Sequence, residues 1–189
     1  MRDDFCVFIL SYDRPKNVPT IDSLERYGYT GDWYLVVDHE KDRERYTQEY
    51  GEGRVEYLEK DDALPELDRG DNFDRRNCNV YARQQMWELA DRLGYEYFLV
   101  LDDDYTNIQY RFDSNFEYGP EVMRDFDDYI DASIRFLESA DLDVLCMSQG
   151  GDFIGGKNAA FAEQVMTKRK AMNSFLCKTD RPFDYRGTI

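Results

Sequence analysis

The chain has 189 residues and a mass of 22.5 kDa, a size that supports one domain with its own hydrophobic core. With 42% apolar and 15% aromatic residues against 12 Gly and 5 Pro, the composition excludes a disordered or fibrous protein. The net charge of -16 repels phosphate, so nucleic-acid binding would need a bound cation or a local cluster of basic residues.

The small number of cysteines and histidines limits which catalytic and metal-binding groups the protein can use. The cysteines Cys6, Cys78, Cys146 and Cys177 form no C-x-x-C pair, so we expect reduced thiols in a cytoplasmic protein without a zinc site. His39 is the only histidine, which leaves carboxylates as the main candidates for acid-base and metal chemistry. The apolar run near the start is far shorter than the ~20 residues that span a bilayer, so we expect no membrane or export signal.

Strand and helix patterns alternate through the first half of the chain. Residues 5–10 (FCVFIL) are continuously apolar, which is typical of a strand buried on both faces, as in a parallel sheet. The pattern next predicts a helix capped by Asn17 and ended by Gly28. It then predicts a strand at 33–37, a helix at 43–50 ended by Gly51, and a strand at 55–58.

The second half begins with residues 60–74, an acidic stretch without periodicity that predicts a long loop. The pattern then predicts a helix over 77–93, strands over 97–101 and 106–112, a helix over 121–139, a short strand over 144–147 and a glycine-rich segment over 148–156. Alternating strands and helices with right-handed crossovers predict a three-layer α/β/α sandwich with a mostly parallel sheet.

Polar clusters stand at the predicted carboxyl ends of three strands, where ligands bind in such sheets. These clusters are residues 11–14, Asp38 and residues 102–104, and we expect them to converge. Ser11 and Arg14 would lie near a bound nucleotide, although Arg14 before a proline is also a common turn signal. Asp38 would either bind a ribose or base, or cap the helix that follows it.

Asp102, Asp103 and Asp104 follow the most strand-like run of the chain and would repel one another without a cation. Asp102 and Asp104 lie on one side of an extended segment, as required to hold Mg²⁺ or Mn²⁺ together with two phosphate oxygens of a ligand. The alternative is an acidic turn or helix cap that faces water.

Three arginines, Arg75, Arg76 and Arg83, flank the start of the helix that precedes these carboxylates. A guanidinium group grips a phosphate or diphosphate with two hydrogen bonds, so these arginines are candidates for nucleotide binding. The alternative is that they pair with Asp71 and Asp74.

The glycine-rich segment also allows two interpretations. Residues 151–158 nearly match the phosphate-binding P-loop, but Asn158 replaces its hydroxyl residue and the acidic strand precedes the loop, so an ATPase is the minor alternative. The preferred interpretation is a close backbone approach to a ligand, with Asp152 as a base or as a partner of an acceptor hydroxyl. A solvated glycine bulge is the remaining alternative.

A basic cluster lies near and beyond this segment: Lys157, Lys168, Arg169 and Lys170. It is the best candidate for a local contact with DNA phosphates, and its alternative is an ordinary solvated face.

Several ordered motifs carry a family resemblance: ILSYDRP, VVD, GDNFDRRN, NVYARQQMWELADRLGYEYFLVLDDD, DDDYTNIQYRF, QGGDFIGG and KAMNSFLCKTDRPF. Together they resemble the nucleotide-diphospho-sugar glycosyltransferases of the GT-A fold, although Gln84 replaces the asparagine of the family's ARN pattern. More narrowly, they resemble the phage and bacterial TET-associated glycosyltransferases, which are thought to add sugars to hydroxymethylated pyrimidines, such as hydroxymethylcytosine, in DNA.

The resemblance implies a role for each matching residue and a set of ligands. It implies a UDP-sugar donor, Mn²⁺ or Mg²⁺ as cofactor, a modified DNA acceptor and, for a phage protein, the host cytoplasm. It implies metal ligation by Asp102 and Asp104 and an acceptor-side role for Gly151 and Asp152. Donor contacts are implied for Ser11, Arg14, Asp38, Arg76, Arg83, Asp102 and Asp103.

The resemblance implies that related chains continue past the position of residues 187–189 into an acidic Glu-Asp motif, the usual place for the catalytic base of inverting members, whereas this sequence stops there. We therefore expect residues 1–189 to be one GT-A-like catalytic domain truncated at its C-terminus, with Asp152 as the remaining candidate base. A domain that binds a nucleotide-sugar and metal without transferring the sugar is the alternative function.

Overall fold

The computed structural model describes residues 1–59, 79–159 and 174–185. The strands are β1 (Phe5–Leu10), β2 (Asp32–Val37), β3 (Val55–Tyr57), β4 (Tyr97–Asp102), β5 (Gln109–Phe112), β6 (Tyr118–Val122), β7 (Val144–Leu145) and β8 (Ser174–Lys178). The α-helices are α1 (Pro19–Arg26), α2 (Glu40–Tyr50), α3 (Asn79–Gln84), α4 (Met86–Leu93) and α5 (Phe126–Ser139). Short 3₁₀ turns occupy Glu52–Arg54, Gly150–Phe153 and Gly156–Asn158.

Six strands form one sheet in the order β3-β2-β1-β4-β8-β7. The first four are parallel to one another, and β8 runs antiparallel to both of its neighbours. Leu10 at the end of β1 is in register with Val36 on one side and Asp102 on the other. The predicted α/β class and mostly parallel sheet are confirmed, and the carboxyl ends of β1, β2 and β4 lie side by side.

The core explains why β1 is apolar at every position. Its side chains at 5, 7 and 9 enter one buried cluster with α1 and α5, and those at 6, 8 and 10 enter a second cluster with α3 and α4. Because successive strand residues point to opposite faces, helices cover both faces of the sheet at β1. The identification of this arrangement with the GT-A fold stays a prediction at this point.

The helix boundaries and caps differ from the predictions in several places. The first helix begins at Pro19 after Val18, so Asn17 is not its cap; proline is favoured at this position because its missing N–H needs no partner there. The predicted helix over 77–93 is described from Asn79 and is broken at Gln85, whose amide donates to the Ala82 carbonyl. Asp38 does not cap α2, because His39 occupies the cap position.

The region after β4 departs most from the prediction. Residues at the start of the predicted helix over 121–139 belong to β6, which pairs with β5 in a separate hairpin. The helix begins only at Phe126, because the Asp125 carboxylate caps it by accepting the Asp128 amide at 3.0 Å. The predicted strands over 106–112 and 144–147 are shorter than expected, and β8 was not predicted.

Along the described stretches, the helices are too short or too polar to cross a bilayer. Cys6, Cys146 and Cys177 are free thiols. The acidic loop over 60–74 and Cys78 lie outside the described residues.

Candidate functional site

Asp103 joins the ends of β1 and β4. The residue is 4% exposed, and its carboxylate accepts a hydrogen bond from the Ser11 hydroxyl at 2.5 Å. The same oxygen lies 3.1 Å from Nε of Arg14, whose side chain is 46% exposed. The structure therefore brings Ser11, Arg14 and the acidic triplet together, with Asp103 turned inward and Arg14 open to a ligand.

Hydrogen bonds from Thr20 hold the backbone of the acidic turn, which is formed by residues 102–104. Thr20 of α1 is fully buried, and its hydroxyl donates to the Asp102 carbonyl at 2.7 Å and accepts the Tyr105 amide at 2.9 Å. The Thr20 amide donates to the Asp103 carbonyl at 3.3 Å. These bonds fix the turn that presents the carboxylates.

Arg83 of α3 pairs with Asp102, with 3.0 Å between Nη2 and Oδ1. Its guanidinium group also lies over the Phe175 ring of β8, 5.1 Å from the centroid, and its side chain is only 11% exposed. Here the guanidinium orients a carboxylate of the acidic triplet. Its contact with a donor phosphate stays a prediction.

Asp104 differs from its two neighbours because its side chain is exposed. Within the described stretches it makes no hydrogen bond or ion pair, and these stretches contain no group of three or more acidic, histidine or cysteine side chains that could hold a metal ion. A metal at this turn would take the exposed Asp104, together with Asp102, whose carboxylate also pairs with Arg83, and would complete its shell from a ligand. Magnesium is commonly bound in this way, through one or two carboxylates plus substrate phosphates.

Asp38 follows β2 at the same edge of the sheet. Its carboxylate lies 3.7 Å from Nε2 of His39, whose ring is 5.2 Å from that of the exposed Tyr12. These side chains form a polar and aromatic surface beside the Ser11 turn, but no direct bond between Asp38 and the acidic triplet is seen in the described residues.

The glycine-rich segment is tied to the acidic turn through Gln149. The Asp152 carboxylate accepts the Gln149 amide at 2.9 Å, and the Gln149 side chain accepts the Asp152 amide in return. The Gln149 side chain also hydrogen-bonds the hydroxyl of Tyr105. Burial, with the nearby Asp102 carboxylate, raises the pKa of Tyr105 well above its usual value, so this phenol remains protonated.

The same segment does not have the structure of a P-loop. A P-loop leads from a strand directly into an α-helix, whereas Lys157 lies in a 3₁₀ turn that is followed by extended backbone at Ala159. Phe153 instead packs on Phe112 and Tyr118 of the β5–β6 hairpin, with ring centroids 6.3 Å and 5.8 Å apart.

Several predicted site residues lie outside the described residues: Arg75, Arg76, Lys168, Arg169 and Lys170. Sequence reasoning did not single out Thr20, Asp42, Tyr46 or Gln149, which hold the site in place. Only Gln149 had a visible signal, because it stands three residues before Asp152 in the spacing of a capping box.

Comparison with known proteins gives one match and one negative result. The profile of the TET-associated glycosyltransferase family matches residues 5–189, which is nearly the whole chain. No curated protein matches the sequence. The chain therefore belongs to the TET-associated glycosyltransferase family, and the enzyme is a glycosyltransferase.

Proposed function

We propose that this glycosyltransferase has the GT-A fold and moves a sugar from a UDP-sugar to a hydroxyl group with the help of Mn²⁺ or Mg²⁺. One observation carries the proposal: Asp103 joins the ends of β1 and β4, so that Arg14 and Asp104 are both exposed at the carboxyl edge of the sheet. Ligands bind at this edge in open α/β sheets. The family match supports the sugar-transfer chemistry.

The donor set at the acidic turn fits a divalent cation. Asp104 is open to a ligand, and the carboxylate of Asp102, two residues before it, is held by Arg83. When bound there, the cation would offset the charge of the donor diphosphate and make it a better leaving group. Arg14 adds a second positive group that can bind the diphosphate directly.

The transfer itself exchanges two bonds at the anomeric carbon of the sugar. The acceptor oxygen forms a bond to that carbon, and the bond to the diphosphate oxygen breaks, so that UDP leaves with the electron pair. The acceptor hydroxyl loses its proton, and Asp152 is our candidate to receive it. The bonds between Asp152, Gln149 and Tyr105 support this role, because they tie this carboxylate to the acidic turn.

The proposed acceptor is a 5-hydroxymethylpyrimidine in DNA. The matching family is described as TET-associated, and the motifs resemble enzymes thought to add sugars to hydroxymethylated pyrimidines, which supports this acceptor. A chain with a net charge of -16 cannot attract duplex DNA through its average field. We therefore propose that Lys157, Lys168, Arg169 and Lys170 form the local DNA contact.

Binding and turnover experiments test this function in two steps. Calorimetry should show UDP binding that depends on Mn²⁺, and transfer of radiolabelled sugar should occur to DNA containing hydroxymethylcytosine but not to unmodified DNA of the same sequence. Binding without transfer to any modified DNA would leave a nucleotide-sugar binding module. Absence of UDP binding with and without metal would overturn the assignment of the donor.

Changing Lys168, Arg169 and Lys170 to Glu tests the DNA contact separately. The triple variant should lose DNA binding and the salt dependence of that binding, while its affinity for UDP is unchanged. Unchanged DNA binding would place the contact elsewhere, and no DNA binding by the parent protein would favour a small-molecule or protein acceptor.

A further inference from the structure

The turn over residues 11–14, which carries Arg14, is held by side chains of α2. The hydroxyl of Tyr46 lies 2.6 Å from the Ser11 hydroxyl and accepts the Arg14 amide at 3.1 Å. Because Ser11 uses its single proton toward Asp103, the proton between the two hydroxyls must come from Tyr46. The hydrogen bonds therefore run in one direction, from the Arg14 amide through Tyr46 and Ser11 to Asp103.

This path closes on itself, because Asp103 also pairs with Nε of Arg14. Both the backbone and the side chain of Arg14 are thus anchored to one connected set of groups. Tyr46 is fully buried and Asp103 nearly so, so their bonds do not compete with water. The arginine side chain is restrained at its inner end while much of its surface stays accessible.

A second residue of α2 stabilises an unusual backbone conformation in the same turn. Asp13 has a φ of 53°, a left-handed conformation that non-glycine residues seldom adopt. The buried carboxylate of Asp42 accepts the Asp13 amide at 3.0 Å, and Arg45 bridges the Asp13 and Asp42 carboxylates. Such conformations persist where the surroundings fix them, and they cluster at ligand sites.

We propose that Tyr46 and Asp42 are positioning residues for donor binding, which hold the 11–14 turn so that Arg14 meets the donor diphosphate without rearrangement. The inference rests on the proposed function, because it takes Arg14 as a donor contact. Neither α2 residue needs to touch the donor. Their effect on affinity comes from preorganisation, since a turn already in its bound conformation loses less entropy on binding.

Tyr46→Phe tests the proposal because it removes only the hydroxyl and keeps the ring. We expect the affinity for UDP with Mn²⁺ to fall about tenfold, which corresponds to about 1.4 kcal/mol. Tyr50→Phe is the matched control: Tyr50 lies on the same helix, its ring stacks on that of Tyr46, and its hydroxyl makes no hydrogen bond in the described residues. Its affinity should stay within twofold of the parent.

Combination with Arg14→Ala separates positioning from general stability. If Tyr46 acts through Arg14, adding Tyr46→Phe to Arg14→Ala should change the UDP affinity by less than twofold. An equal loss in both backgrounds would show a merely structural role and overturn the proposal while the proposed function stands. A parent protein that binds no UDP with Mn²⁺ would instead refute the donor assignment, and this inference with it.

Variants of Asp42 keep the proposal testable should Tyr46→Phe fail to fold. Asp42→Ala removes the acceptor of the Asp13 amide and should weaken UDP binding at least fivefold. Asp42→Asn keeps an oxygen at that position and should restore most of the affinity. Equal affinities for the Ala and Asn variants and the parent protein would refute the role of this carboxylate.

Discussion

Replacing Asp103 and Asp104 one at a time should separate stability from ligand binding. Asp103 is buried and accepts the Ser11 hydroxyl and the Arg14 side chain. A hydrogen bond to a charged group contributes about 1.5–3 kcal/mol, and the pair with the half-exposed Arg14 adds at most about 1 kcal/mol. Asp103→Ala should therefore lower the free energy of unfolding by about 1.5–4 kcal/mol.

Asp104→Ala should instead preserve the stability of the protein and impair its ligand binding. Its side chain is exposed and makes no hydrogen bond or ion pair in the described stretches, so the free energy of unfolding should stay within about 0.5 kcal/mol of the parent. The proposed metal site, however, loses its most accessible carboxylate. Manganese-dependent binding of UDP should therefore be lost in Asp104→Ala.

Urea denaturation followed by tryptophan fluorescence measures the first effect, and calorimetric titration with UDP and Mn²⁺ measures the second. A loss below about 1 kcal/mol in Asp103→Ala would contradict the structural role assigned to this carboxylate. Manganese-dependent UDP binding that survives Asp104→Ala would show that the metal assignment is wrong. Asp103→Asn, which keeps one acceptor oxygen, should fall between the parent and Asp103→Ala in stability.

Three further predictions concern other parts of the molecule. Arg83→Ala should lower the free energy of unfolding by about 1–3 kcal/mol and weaken UDP binding. Arg92→Ala is the control: because the ion pair of Arg92 is exposed, its loss should change the free energy of unfolding by less than about 0.5 kcal/mol. Urea denaturation measures the stability of both variants, and calorimetry measures their UDP binding. Burial raises the pKa of Cys146 to about 11, which lowers the fraction of reactive thiolate at pH 8. Iodoacetamide should therefore modify Cys146 about 100-fold more slowly in the folded protein than in urea. Mass spectrometry of the peptide that contains Cys146 measures both rates. Leu176→Ala should lower the free energy of unfolding by about 2–5 kcal/mol, because β8 is a buried strand of the main sheet, and a loss below 1 kcal/mol would contradict that placement.

The parallel strands of the sheet were predictable because each is indicated by a short pattern within its own segment of the sequence. A strand buried on both faces has to be apolar at every position, and residues 5–10 and 97–101 have that pattern. The helix ends at Gly28 and Gly51 were also predictable, because both residues have a positive φ, which glycine adopts without strain.

The antiparallel half was not predictable from the same signals. β8 has only five residues, and its place between β4 and β7 depends on contacts with strands that precede it by about thirty and eighty residues in the chain. The hairpin strand β6 contains glycine and proline, which are depleted in strands, and its residues extend the amphipathic pattern of the following helix. Three residues separate the two elements, and the last of them, Asp125, caps the helix.

At the site, the sequence showed which groups stand at the strand ends, because strand ends are local features. It did not show which partner each group has, because partners come from other elements: Thr20 from α1, Tyr46 and Asp42 from α2, and Arg83 from α3. A buried tyrosine hydroxyl that accepts a backbone amide leaves no pattern in a single sequence. These supporting residues therefore appear only once the helices are placed on the sheet.

The partners of the acidic triplet also explain how three consecutive carboxylates coexist. Adjacent charges repel, but the three side chains have different surroundings: Asp102 pairs with Arg83, Asp103 points inward to Ser11 and Arg14, and Asp104 faces solvent. Two of the charges are thus compensated within the protein, and the third is accessible to a ligand. Among the described residues, Asp104 alone of the three has no protein partner, so the proposed cation would meet one uncompensated carboxylate at this edge and would retain positive charge to offset that of the proposed donor diphosphate.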